Sequence, residues 1–499
     1  LPFIIEAGFD KSLGALSSSF EETLPLCMNI KRTLSLLALS LLLNLQSVSQ
    51  TVPQPLIDIL DHTLDSMHTV VPAKSLSAAI KFHDGAIWKN VSGISSVSPA
   101  VNATTSDTYL IGSVVKTITS ACILQLHDEG TLSIEDSIHD WLPTMEFVNP
   151  DITIRQLLQH TSGLYDVMTN PNLQNEMLGD VSHIWSAQEV LDTFLDEPNN
   201  TPGAQWSYCN TNYFLLGMII EAATGNPYYT EYRNRFFTPL NLTSFGIPAF
   251  EDFNQPIAHV WMDLFGTGET QDAHFFYQSY LSLNSIAGAA GGYYATPEDV
   301  TEWMHSYMRG DLLQPATLED AQTTMTAPGL PSTTYGLGLN KKTFAGYTGY
   351  GHGGDLAYCA SSCYFPALDI SITVCGNDAD YISWDLIPVV RELLQHITES
   401  GLVNVSEFDA EPHSPEISIY PNPTNGVTSV DISAFQPNEI ITIEVISELG
   451  ERLEILQVNR SSSSQQLVEM NIQNYATGIY YFKCSPPNGN SSIVKVLKS

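Results

Sequence analysis

Ser113 and Lys116 stand three residues apart in "YLIGSVVKTITSACILQLHDEG", residues 109–130, at the front of an apolar-periodic run. A serine hydroxyl is a poor nucleophile until a neighbouring base takes its proton. Side chains at i and i+3 of a helix face the same side, so a lysine there reaches the serine oxygen. An amine acts as that base only if burial or nearby positive charge pulls its pKa down from about 10.4. The apolar flank of Leu110, Ile111, Val114 and Val115 supplies the burial. A serine at a helix start also offers its own N–H, at the positive helix end, to a developing oxyanion. Lysine is scarce here, with eleven in 499 residues. Spacing alone is a weak signal: Ser492 and Lys495 share it, but in a strand-like run where such positions face opposite sides.

The elements that must position this pair are legible in outline. Two strand-like runs, "SLSAAIKF" (75–82) and "GAIWKNVSGIS" (85–95), flank His83-Asp84 and predict a hairpin. Helical patterns dominate from about 151 to 235, among them "TIRQLLQHTSGL", ending at Gly163, and "TNYFLLGMIIEAATG", ending at Gly225. Strands return from 333, and "YISWDLIPVVRELLQHIT" predicts a closing helix over about 381–398. A sheet built from both ends of residues 52–400, with a mostly helical insertion between them, is the expected architecture. Residues 401–415 form a polar acidic connector, and 416–499 alternate as short strands, the pattern of a small all-β sandwich.

"YLIGSVVKTITSACILQLHDEGTLSIEDSIHDWLP" closely resembles the active-site helix of the serine β-lactamase and penicillin-binding-protein-like hydrolases, which carry S-x-x-K. The resemblance continues, in order, through "ITIRQLLQHTSGLYD", "TPGAQWSYCNTNYFLLGMIIEAATG", "AGAAGGYYATPEDVTEWM", "YGLGL" and "GHGGDLAYCASSCYFPALDISITVCGN". It implies an α/β fold for 52–400, an antiparallel sheet flanked by helices with a mostly helical insertion, and an acyl-enzyme mechanism at Ser113 with Lys116. The family's Y-x-N motif matches Tyr208-Cys209-Asn210: the tyrosine would shuttle the proton to the leaving group, and Asn210 would hold the lysine and the substrate carbonyl. The third motif, K-T-G or H-x-G, matches His352-Gly353-Gly354, where Gly354 permits close approach of substrate. By resemblance, His352 orients the hydroxyl network or is partly charged beside an anionic substrate, and the Asp355 N–H joins that of Ser113 as the oxyanion hole. His160 is expected to be structural, and Lys342-Thr343-Phe344 a decoy for K-T-G, because the glycine is missing.

Two departures shape the expected activity. There is no S-D-N, so the class A arrangement is excluded. Histidine replaces the K-T-G lysine, which removes a strong site for the carboxylate of penicillins or acyl-D-Ala-D-Ala peptides. The expectation is therefore a D-Ala-D-Ala carboxypeptidase-like enzyme or a carboxylesterase; the alternatives are a β-lactamase or a non-catalytic binding or sensor protein on the same scaffold. The thirteen histidines show no ligand spacing, so neither metal nor cofactor is expected.

Nineteen basic residues against 54 acidic ones give a formal charge of −35, which disfavours binding to nucleic acid or anionic lipid. "MNIKRTLSLLALSLLLNLQSVSQ" from Met28 has the n-region, apolar run and small residues of a signal peptide over 28–49, leaving 1–27 as a non-native upstream extension. Its apolar run is too short to anchor the chain as a spanning helix, the alternative. Export permits disulfides, and Cys359, Cys363 and Cys375 lie on consecutive strand-like runs where a cross-strand bridge or ordinary buried thiols both fit. "YPNPTNG" with "ATGIYYFKC" and "IVKVLKS" resembles the C-terminal sorting domain of type IX secretion substrates. That implies the secretion machinery as partner, and a secreted or cell-surface protein; a carbohydrate- or partner-binding module is the alternative.

Overall fold

The computed structural model describes residues 51–499 apart from 72, 98, 275–279, 330–333, 381, 403–417, 421–425, 433–434, 436–438, 448–451, 462–465, 487–491 and 499. The signal-peptide and upstream-extension assignments, and most of the connector, lie outside the described residues.

The main sheet draws strands from both ends of its domain. β1 (Ser75–Lys81), β2 (Ile87–Val97) and β3 (Ala100–Asn102) come first. After the helical insertion come β4 (Met325–Thr326), β5 (Thr334–Tyr335), β6 (Asn340–Phe344), β7 (Tyr347–Leu356), β8 (Tyr358–Phe365) and β9 (Ile370–Gly376). The nine strands run in the order β3-β2-β1-β9-β8-β7-β6-β5-β4. The two ends join where Leu76 pairs with Gly376 and Lys81 with Ser371, both antiparallel. β8 and β9 are buried at every position, as strands covered on both faces must be. The β1–β2 hairpin forms, with a turn over 82–86 closed by Phe82 N–H donating to the Ala86 carbonyl.

One sheet face is covered by α1 (Gln54–His68), which buries Leu56, Leu60 and Leu64, and by α6 (Ile387–Glu399), which buries Val389, Leu393 and Ile397. The other face receives α5 (Pro297–Arg309), capped by the Thr296 hydroxyl and stopped at Gly310. Beyond it lies the larger core around α2 (Val115–Asp128), α3 (Thr211–Thr224) and α4 (Leu281–Gly291). Eleven of the fourteen residues of α2 are buried, so the helix runs through the interior.

Two predicted helices are shorter than their patterns. "TIRQLLQHTSGL" is helical only over Ile154–Leu158, because His160 takes a left-handed φ of 62° and breaks the turn. The closing helix begins at Ile387; Pro388 fits its first turn, and Ser383–Leu386 form a separate 3₁₀ turn.

The C-terminal strands make two antiparallel sheets. β10 (Ser418–Tyr420), β11 (Val427–Asp431) and β14 (Leu467–Asn471) form one; β12 (Ile440–Ser447), β13 (Arg452–Asn459), β15 (Gly478–Ser485) and β16 (Ser492–Lys498) form the other. Val430, Ile432, Ile443, Val445 and Phe482 share one core between them, the small β-sandwich expected.

Candidate active site

Ser113 lies in a single 3₁₀ turn, Gly112–Val114, that leads into α2. Ile111 is tied to the inner core by its N–H to the Tyr293 carbonyl, and Gly112 adopts φ 52°. A side chain at 112 would also meet the Asp355 backbone nitrogen at 2.8 Å, so only glycine lets the turn approach β7 this closely. The approach is mutual: a Cβ on Gly354 would lie 1.8 Å from the Ile111 carbonyl oxygen and 3.0 Å from the Ser113 nitrogen. Residues 352–356 of β7 extend past the pairing with β6, which ends at Gly351, and leave a strand edge beside the serine.

Ser113 Oγ lies 2.9 Å from both Lys116 Nζ and Tyr208 Oη. Lys116 is fully buried, and its Nζ also donates to Asn210 Oδ1 and the Ala290 carbonyl, both at 2.8 Å. Desolvation lowers its pKa to about 7, against the opposing pull of Asp166, Cys209 and Asp355. Burial thus favours the neutral amine, the form that can accept a proton. Burial pushes the Tyr208 phenol well above its ordinary value, so it stays protonated and relays a proton rather than holding a charge.

The structure thus brings Ser113, Lys116, Tyr208 and Asn210 together. Asn210 is held in turn by its Nδ2, which donates to Asp166 Oδ2 at 2.9 Å. His352 lines the same cleft: Nδ1–H donates to the Gly353 carbonyl at 2.5 Å, and Nε2 accepts from the Tyr335 hydroxyl at 3.0 Å. Desolvation, helped by Lys116, lowers its pKa to about 3, which leaves a neutral imidazole of fixed orientation.

Three residues at the site were not assigned to it from the sequence. Asp166, which clamps Asn210, ends the "HTSGLYD" run and has no spacing relation to Tyr208. His160, expected to be structural, packs against the Tyr208 ring with centroids 4.3 Å apart and the rings tilted by 33°, and its Nδ1 accepts the Cys209 N–H. Lys342, expected to be a decoy, lines the cleft. It sits on β6 opposite Gly349 of β7, a pairing that cannot be read without the strand register. All six described cysteines are free and buried, so ordinary thiols hold and no cross-strand bridge forms.

The cleft has a volume of about 380 Å³ and opens over Ser113, with Met168, Phe214, Leu356, Ile382 and Trp384 as its apolar walls. Among the described residues, no group of histidine, cysteine or acidic side chains is placed to hold a metal ion. No helix among them is long and apolar enough to cross a membrane.

Sheet, insertion and cleft together define an α/β protein of the β-lactamase and transpeptidase class. The chain belongs to the beta-lactamase family, whose model matches residues 74–383, and residues 418–498 match a secretion system C-terminal sorting domain. Protein flp of Staphylococcus aureus is 31% identical over 193 residues, 37% of this chain and 36% of that protein. Penicillin-binding protein 4 of Amycolatopsis lactamdurans is 32% identical over 176 residues, 34% of this chain and 44% of that protein. The chain thus spans less than half the length of either relative. Among solved structures, a D-stereospecific amidohydrolase from Streptomyces is 27% identical with a TM-score of 0.58, over 68% of this chain and 97% of that one.

Proposed function

We propose that this chain is an exported serine hydrolase that cleaves an amide or ester through an acyl-enzyme on Ser113. One observation carries the reading: the hydroxyl of Ser113 is within hydrogen-bond distance of a buried lysine of lowered pKa and of a protonated tyrosine. Ser113 Oγ attacks the substrate carbonyl while its proton passes to neutral Lys116. The N–H groups of Ser113 and Asp355 receive the oxyanion, and Tyr208, resupplied by Lys116, protonates the leaving group as its bond to carbon breaks. Water then attacks the acyl carbon, the same groups take its proton, and Ser113 is released. The likeness to a D-stereospecific amidohydrolase and to a penicillin-binding protein supports a D-Ala-D-Ala carboxypeptidase-like activity; carboxylesterase chemistry uses the same steps. The match to a sorting domain supports passage through the secretion machinery to the cell surface or medium.

A fluorophosphonate probe is expected to form an adduct on Ser113, located by mass spectrometry of the peptide that contains it. No adduct on the folded protein sinks the enzyme reading in favour of a binding protein. Labelling by a fluorescent penicillin as well marks a peptidase-like site, and labelling by the fluorophosphonate alone an esterase.

The pH profile follows from the lysine. Only the neutral amine accepts the serine proton, so kcat/KM is expected to rise about tenfold per pH unit below about 7 and to level above it. Tyr208 adds no falling limb up to pH 10, because burial holds its proton beyond that range. A profile flat from pH 5 to 8 would remove Lys116 as the base.

A further inference from the structure

His160 holds the backbone on both sides of Tyr208. Its carbonyl accepts the Ser207 N–H at 2.9 Å, and its Nδ1 accepts the Cys209 N–H at 3.1 Å. A helical residue points its carbonyl along its own helix axis. At φ 62° His160 leaves the turn after Ile154–Leu158, and its carbonyl and ring both meet segment 207–209. The chain ahead of Tyr208 is laid on the same stretch: Gly203 N–H donates to the Thr161 carbonyl at 2.8 Å, and Asn200 N–H to the Gly163 carbonyl at 3.1 Å.

The ring has one protonation state that fits. Asn212 Nδ2 also lies 3.3 Å from Nδ1, and the Ser162 hydroxyl, donating to Asn212 Oδ1 at 2.6 Å, orients that amide. Two N–H donors aimed at one nitrogen require a lone pair there, so the imidazole proton sits on Nε2. Burial, with Lys116 and His352 adding to it, holds the His160 pKa well below its ordinary value, and the ring is neutral. Nε2 is buried and has no hydrogen-bond partner among the described residues. A buried N–H without an acceptor is costly, so packing against Tyr208 alone favours phenylalanine at this position. What histidine adds is the Nδ1 acceptor. Its effect is read on either side of Cys209, where Tyr208 Oη stands 2.9 Å from Ser113 Oγ and Asn210 Oδ1 accepts from Lys116 Nζ at 2.8 Å. We propose that His160 is the positioning residue of the proton relay: its Nδ1, acting through the Cys209 N–H, fixes the Tyr208 hydroxyl on Ser113 and the Asn210 amide on Lys116. The assignment rests on Tyr208 being the group that protonates the leaving group.

The leaving group reads the relay. An alkoxide needs a proton as it departs and p-nitrophenolate does not, so a displaced Tyr208 slows an ethyl ester far more than a p-nitrophenyl ester of the same acid. His160→Phe keeps a ring against Tyr208 and removes the acceptor. Its kcat/KM is expected to fall about thirtyfold or more on ethyl butyrate and less than about threefold on p-nitrophenyl butyrate. His160→Asn keeps an acceptor at the Nδ1 position and tolerates the positive φ, and it is expected to stay within about fivefold of wild type on both esters. Equal losses on the two esters in His160→Phe overturn the proposal, as do wild-type rates in that variant or an ethyl-ester loss in His160→Asn that matches it. Should His160→Phe not fold, the imidazole itself decides. Nitrogen-15 NMR of the histidine-labelled full chain, with His160→Asn locating the signal, is expected to show the proton on Nε2 and a bare Nδ1 between about pH 5 and 9. A proton on Nδ1 overturns the assignment. Fluorophosphonate labelling of wild-type Ser113 tests the underlying reading separately: a labelled serine with equal losses on the two esters removes the role of His160 and leaves the hydrolase standing.

Discussion

Lys116→Met is expected to slow acylation by about 10²–10⁴-fold, the range a positioned general base supplies, while the protein stays folded. Methionine fills nearly the same volume as the lysine stem and cannot take a proton. Removing the amine leaves Asn210 Oδ1 and the Ala290 carbonyl without a donor, at about 1 kcal/mol each or somewhat more. Against that stands the cost of burying the amine, visible as a pKa held at about 7. The folded pKa lies below the unfolded one, so between the two the unfolded chain binds a proton that the folded chain does not. Wild-type stability therefore bears the full cost below pH 7 and sheds it as pH rises toward 10. The melting midpoint of Lys116→Met is expected to equal or exceed that of wild type at pH 6, with the gap narrowing by pH 9. Burst kinetics on a p-nitrophenyl ester give the acylation rate, and calorimetric scans at the two pH values give the midpoints. Acylation within tenfold of wild type would place the base elsewhere.

That lysine was legible because its relation to the serine is local: one helical turn fixes both side chains, whatever the rest of the chain does. Tyr208 and Asn210 were legible as a motif, and just before α3 one meets Ser113 while the other meets Lys116. Asp166 and Lys342 were not, for a different reason. Asp166 meets Asn210 across 44 residues of sequence, and Lys342 meets the cleft only through the pairing of β6 with β7. Strand register is a property of the folded sheet, and periodicity alone leaves it open. The sheet's assembly from both chain ends was legible because strand-like runs cluster at either side of a helical stretch. The early end of the "TIRQLLQH" helix was not, since histidine visits the left-handed region more than most side chains but also sits within helices, so its identity alone does not decide the backbone at 160.

Lys342 also alters what the missing K-T-G lysine means. The resemblance implies that a lysine is missing at position 352, while the fold brings another lysine to the same cleft from the next strand. Charge at a site is set by which side chains the sheet gathers there, and less by which residue occupies a motif position.

Gly354→Ala is expected to lower kcat by about 10²–10³, comparable with losing one oxyanion donor, and to cost about 1–3 kcal/mol of stability through overpacking. Its Cβ would stand 1.8 Å from the Ile111 carbonyl oxygen, a backbone atom with no rotamer to escape into. β7 and the Ser113 turn must then separate, and the N–H groups of Ser113 and Asp355 spread with them. Substrate contacts along the cleft walls survive, so the loss is expected in kcat with KM changed less than tenfold. Gly353→Ala is the comparison: its Cβ would meet the Ser383 side chain at Oγ and, at 2.9 Å, at Cβ, with the nearest backbone atom 3.7 Å away, and it leaves the Ser113 turn alone. Hydrolysis of a neutral p-nitrophenyl ester by Gly353→Ala is expected to stay within tenfold of wild type. Steady-state kinetics on both variants decide the matter. If Gly354→Ala keeps wild-type kcat, or the two alanines lose activity alike, the close contact between strand and turn does not set the oxyanion geometry.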